Sequence, residues 1–122
     1  MSKEIKIIVG GITADATLND TKTARMVYDA LPISSRANLW GDEIYFDVNL
    51  QAEEENSQLT VAAGDIALWL EGPALCIFLG KTPISRGNEI RPASAVNVIG
   101  KIKDISTLFR KLKGGEKITF QR

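Results

Sequence analysis

A chain of 122 residues, 44% apolar and 25% charged, has room for one domain with a proper core, and no apolar run approaches the roughly 20 residues of a membrane span. Histidine is absent and Cys76 is the single cysteine, which excludes imidazole acid–base or nucleophilic catalysis, His- or Cys-rich metal centres and an internal disulfide. The acidic and basic residues balance at fifteen each. These counts point to a cytoplasmic protein with no metal and no cofactor, in which any catalysis falls to carboxylates, Lys, Arg, Tyr or backbone dipoles.

The opening Met1-Ser2-Lys3-Glu4-Ile5-Lys6 alternates charge with isoleucine and reads as a first strand, not as a signal peptide. Ile5, Ile7 and Val9 continue the alternation to a Gly10-Gly11 turn. Beyond it Ile12, Ala14, Ala16 and Leu18 oppose Thr13, Asp15 and Thr17, completing a hairpin. Asn19 or Asp20 is expected to cap a helix with Ala24, Val27, Tyr28 and Leu31 on one face, ended by Pro32.

Residues 43–50 place Ile44, Phe46, Val48 and Leu50 on one strand face and Glu43, Tyr45, Asp47 and Asn49 on the other. Residues 51–58 (QAEEENSQ) hold nothing that is cheaply buried and are expected to form a mobile loop. Ile66–Leu70 and Ala74–Leu79 are almost wholly apolar and predict central strands joined at Glu71-Gly72-Pro73. Residues 80–94, with Pro83, Gly87 and Pro92, form the longest irregular stretch and the expected binding loop. Ala95–Ile99 is a further strand. Asp104 is expected to cap a second helix through Ile105, Leu108, Phe109 and Leu112, closed by Gly114 with Lys111 and Lys113 in its last turn. Glu116–Gln121 closes the chain as a strand. The count is eight strands and two helices in one domain spanning 1–122.

The balanced charge hides a segregation. Residues 41–71 carry eight acidic and no basic residues, whereas 72–122 carry ten basic and three acidic ones. Acidic and basic strands interleaved around a barrel would neutralise each other; a bipolar surface would instead favour a homo-oligomer. Nucleic acid is not an expected partner, because no exposed aromatics interleave the basic residues, and neither is a membrane. Gly80-Lys81-Thr82 resembles the end of a phosphate-binding loop, but Leu75 stands where that motif needs glycine and Pro83 blocks the helix that must follow. Asp42, Glu43 and Asp65 are oxygen donors for a hard cation, yet both aspartates follow glycine at a strand start, where a turn role is the ordinary one.

Glu43 and Tyr45 share a strand face and make a polar floor for a pocket, or a surface hydrogen-bonded pair. Phe46 and Phe78 read as core. Trp40 and Trp69 stand beside turns, where an amphipathic ring serves packing or lines a pocket. Thr82 and Ser85 flank Pro83 in the long loop, placed to bond a ligand or to cap a turn.

Taken together, Leu31-Pro32, Trp40–Phe46, Gly64–Trp69, Gly72-Pro73, Ile77–Ser85 and Val96–Gly100 resemble the small prokaryotic cyclophilin-like domain family, uncharacterised single-domain proteins with a cyclophilin-type barrel. The resemblance runs over nearly the whole chain. It implies a mainly β protein, a closed eight-stranded antiparallel barrel with a helix at each open end. Cyclophilins isomerise X-Pro bonds with an arginine beside a proline pocket, but none of their catalytic motifs can be laid on this chain. Two functions follow as expectations. One is a binding module for a small molecule or X-Pro peptide, using Trp40, Glu43, Tyr45, Trp69, Thr82, Ser85, Arg86 and Arg91. The alternative is a weak or divergent peptidyl-prolyl isomerase with Arg86 or Arg91 as the polarising cation.

Overall fold

The computed structural model describes residues 2–105 and 112–122. In chain order these form β1 (Lys3–Val9), β2 (Ile12–Leu18), α1 (Lys22–Ala30), β3 (Ile33–Arg36), β4 (Asn38–Trp40), β5 (Glu43–Asp47), β6 (Asp65–Trp69), β7 (Ala74–Phe78), β8 (Val96–Ile102) and β9 (Lys117–Gln121). The second helix expected after Asp104 falls on residues 106–111 and lies outside the described residues. Among the described residues there is therefore one helix, and it is not long and apolar enough to cross a membrane.

All neighbouring strands pair antiparallel, in the order β3-β9-β1-β2-β8-β6-β7-β5-β4. The two edge strands, β3 and β4, are separated in the chain by Ala37 alone. The sheet is thus rolled into a nearly closed barrel whose last stave bends at Ala37, pairing with β9 before the bend and with β5 after it. This corrects the expected eight strands to nine. The bend has a physical anchor: Ala37 is fully buried, its N–H donates to Glu116 O (2.8 Å), and its carbonyl accepts from Gly115 N–H (2.7 Å).

The inward positions of the alternating strands fill the barrel. Ile5, Ile7, Ala16, Leu18, Ile44, Ile66, Leu68, Leu75, Ile77, Ile99 and Ile118 pack there around Phe46 and Phe120. The two rings meet edge to face, 5.4 Å between centroids at 72°. Gly100 sits where β8 pairs with both Leu18 of β2 and Ile66 of β6, and a Cβ there would lie 2.3 Å from Thr17 O. Only glycine lets these backbones approach so closely.

Helix α1 buries Thr23, Ala24 and Val27 against the core. Its cap is Thr21, not Asn19 or Asp20: the Thr21 hydroxyl accepts from Ala24 N–H (3.1 Å). Asn19 holds that cap in place, its Oδ1 accepting from the Thr21 hydroxyl (2.7 Å) and its Nδ2 donating to Val98 O (2.9 Å).

The polar 51–58 segment, expected to be mobile, is tethered. The Glu55 carboxylate accepts from the N–H groups of Lys22 (3.0 Å) and Thr23 (2.9 Å) and from the Thr23 hydroxyl (2.8 Å), filling the free donors of the helix start. These bonds hold its pKa below the ordinary glutamate value. Asn97, 1% exposed, locks the other side, donating to Thr23 Oγ1 (3.0 Å) and Glu53 O (2.9 Å) and accepting from Glu55 N–H (3.0 Å). Asn97→Ala strands these groups and should cost about 2–3 kcal/mol in urea unfolding, with faster amide exchange at 53–55. Unchanged exchange there would show that the tether is held elsewhere.

Candidate functional site

The outward positions of the middle strands build a second, smaller apolar cluster. Ala67, Ala74, Cys76, Phe78, Ile90 and Val96 form it, with Tyr45, Val61, Trp69 and Val98 packed at its edge. Residues 80–94 lie over this face, which is why β7 is buried on both sides and reads as an unbroken apolar run.

Register decides which side chains converge. Tyr45 of β5 pairs with Cys76 of β7, which pairs with Ala67 of β6; Trp69 pairs with Val96 of β8; Trp40 of β4 pairs with Glu43. Between these residues and the loop opens a cavity of about 180 Å³, walled by Trp40, Glu43, Tyr45 and Trp69, floored by Cys76 and Val96, and flanked by Pro92 and Ala93.

The elements that carry the two tryptophans are braced. The indole N–H of Trp69 donates to Ser94 Oγ (2.6 Å), and its ring lies across Gly72, where a Cβ would come within 2.8 Å of it. Trp40 precedes a turn docked on the loop through Asp42 N–H to Lys81 O and Leu79 N–H to Asp42 O, both 2.9 Å. Gly41 makes the docking feasible, with φ of +61° and only 2.8 Å between a would-be Cβ and Lys81 O. The loop is stapled at its base: Ser85 Oγ accepts from the N–H groups of Thr82 and Arg91 (both 3.0 Å), and the Thr82 hydroxyl donates to Arg91 O.

Of the eight residues singled out from sequence, Trp40, Glu43, Tyr45 and Trp69 come together around one cavity. Thr82 and Ser85 instead close the loop. Arg86 is exposed on it, and the Arg91 guanidinium pairs with Glu89 (3.0 Å). None of these four lines the cavity. Asp65 takes the turn role, accepting from Ala62 N–H (2.9 Å) beside Lys101. Sequence reading missed Cys76, Pro92, Ala93 and Val96. The alternation that aims Tyr45 outward finds Cys76 only once the strand pairing is known.

Glu43 is the unusual group. It is 6% exposed, its Oε1 has no hydrogen-bond partner among the described residues, and burial pushes its pKa up to about 7. Burial and the charge of Glu43 together push the Cys76 thiol well above its ordinary value, so it is a neutral group in the floor. A buried carboxyl with a pKa of about 7 can accept or donate a hydrogen bond near neutral pH.

The family model for cyclophilin-like proteins matches residues 3–121. The chain belongs to the cyclophilin-like family. Among solved structures, this cyclophilin-like chain is similar to a hypothetical protein from Archaeoglobus fulgidus, whose structure was determined in solution. The two are 42% identical, with 98% of this chain and 93% of that chain covered and a TM-score of 0.77. It also shares its fold with McbB, solved in complex with tryptophan, at 14% identity and a TM-score of 0.66. That match covers 97% of this chain but 44% of McbB. No curated protein matches the chain.

Proposed function

We propose that this cyclophilin-like barrel is a small-molecule binding module whose ligand occupies the outer-face cavity. The observation that carries the reading is the convergence of both tryptophans of the chain, a tyrosine and a buried carboxyl with one oxygen lacking a partner, on braced elements. Rigid aromatic walls with one polar group are the usual make-up of a ligand site. At about 180 Å³ the cavity is smaller than the about 300–1,000 Å³ of sites for drug-sized molecules, which favours a ligand of one ring or a short chain. The isomerase alternative draws less support, since neither Arg86 nor Arg91 lines the cavity.

The test is a ¹⁵N NMR screen with single-ring amines, alcohols and acids, free amino acids and X-Pro peptides. Tryptophan belongs among them because it is the ligand in the McbB structure. Hits are expected to shift both indole N–H signals and to be lost in Ala93→Phe, which plugs the cavity mouth. Hits that shift neither indole, or that survive the plug, would sink the reading. Faster cis–trans exchange in the X-Pro peptides would replace it with the isomerase.

A further inference from the structure

Resting on that binding reading, we infer that the cavity selects organic cations, its ligand being a ring-bearing protonated amine whose ammonium meets Glu43. The lining makes the choice. Its titratable groups are Glu43 and Tyr45 from β5 and Cys76 from β7, all acids; β4, β6, β8 and residues 92–93 contribute none. Among the lining residues there is no lysine or arginine, and the Arg91 guanidinium in the adjoining loop already pairs with Glu89.

An anionic ligand would therefore enter an apolar cavity beside a carboxylate with no counter-charge, which a low-dielectric site penalises heavily. A cation meets the reverse conditions. It gives Glu43 Oε1 the partner it lacks, and it approaches the rings of Trp40, Tyr45 and Trp69, whose faces attract positive charge. A neutral ligand gains packing and at most an uncharged hydrogen bond to Glu43, which is weaker than a charge-assisted one. The pKa of about 7 adds a signature: an ammonium favours the ionised carboxyl, so binding expels a proton and strengthens as pH rises through neutrality.

Three probes that share a 2-phenylethyl frame separate the cases: 2-phenylethylamine, 2-phenylethanol and 3-phenylpropionate. Their affinities are measured by NMR titration of wild type and Glu43→Gln at about pH 8 and about pH 5.5, the amine staying protonated at both. In wild type at the higher pH the amine should bind about tenfold tighter than the alcohol, and the carboxylate weakest of the three. That preference should shrink at the lower pH and fall to about twofold or less, the share the rings supply, in Glu43→Gln, while the alcohol's affinity changes by less than about threefold. Equal affinity for amine and alcohol, tightest binding of the carboxylate, or a preference undiminished in Glu43→Gln would overturn the cation inference and leave the cavity reading standing. Failure of all three probes to shift either indole would overturn both.

Discussion

Glu43→Gln should raise stability at about pH 8 and leave it unchanged near pH 4.5. The native carboxyl titrates at about 7, against 4.5 for an ordinary glutamate, because burial disfavours its charge. Below the ordinary value both the folded and unfolded chains hold the proton, so the burial of a neutral acid is felt equally at every pH there. Between the two values the unfolded chain releases a proton that the native state retains, and stability falls as pH rises. Above about 7 both are ionised and the loss is complete, on the order of 3 kcal/mol. Glutamine keeps the shape and removes the ionisation, so its curve should omit this fall.

Other carboxylates, among them Glu55 and Asp15, have lowered pKa values and lose their contribution only as pH drops below the ordinary range. Subtracting wild type from the variant isolates Glu43 from them. Urea unfolding at a series of pH values measures the difference. A Gln variant that is no more stable at pH 8 would mean that Glu43 is already compensated in the free protein.

Phe120→Ala should be the most damaging single truncation on the closing strand, at about 3–5 kcal/mol. Phe120 is fully buried, pairs with Ile7 of β1 and Ile33 of β3, and meets Phe46 of β5 edge to face. Strands β9 and β5 are the ones that grip the two halves of the stave broken at Ala37. The ring pair therefore spans the bend at Ala37, where the hydrogen-bonded pairing passes from β9 to β5. Alanine leaves a void there that the surrounding staves cannot close, whereas Phe120→Leu should cost about half as much. Equilibrium unfolding followed by tryptophan emission gives both values. A loss under about 1 kcal/mol for the alanine variant would show that the barrel closes without this contact.

Much of the barrel was legible because alternation is a local signal. Ile5, Ile7 and Val9, and Ile44 and Phe46, announce their strands and their inward faces without any long-range information. Strands β3 and β4 were not, since ISSR and NLW are short and mostly polar and owe their pairing to partners some eighty residues away in one case and across a tight turn in the other. The tether of 51–58 was hidden for the same reason: Glu55 looks like one more surface acid until Thr23 and Asn97 are brought to it.

At the cavity, the shared outward face of Glu43 and Tyr45 was legible from period two alone. Thr82 and Ser85 were not separable from ligand contacts, because a hydroxyl that staples a loop and one that greets a ligand are the same residue type in the same setting. Cys76 and Val96 looked like core because they are core, of the outer cluster.

Strand β5 shows what a cavity on the outside of a barrel permits. Ile44 and Phe46 face the interior, while Glu43 and Tyr45, offset by one position, face the cavity. Under the proposed binding reading, exchanging an outward residue would alter what is recognised while leaving Ile44 and Phe46 in the barrel interior. Descendants of one such barrel are therefore free to diverge in ligand while converging in shape, and likeness of fold among them carries little news about what each one holds.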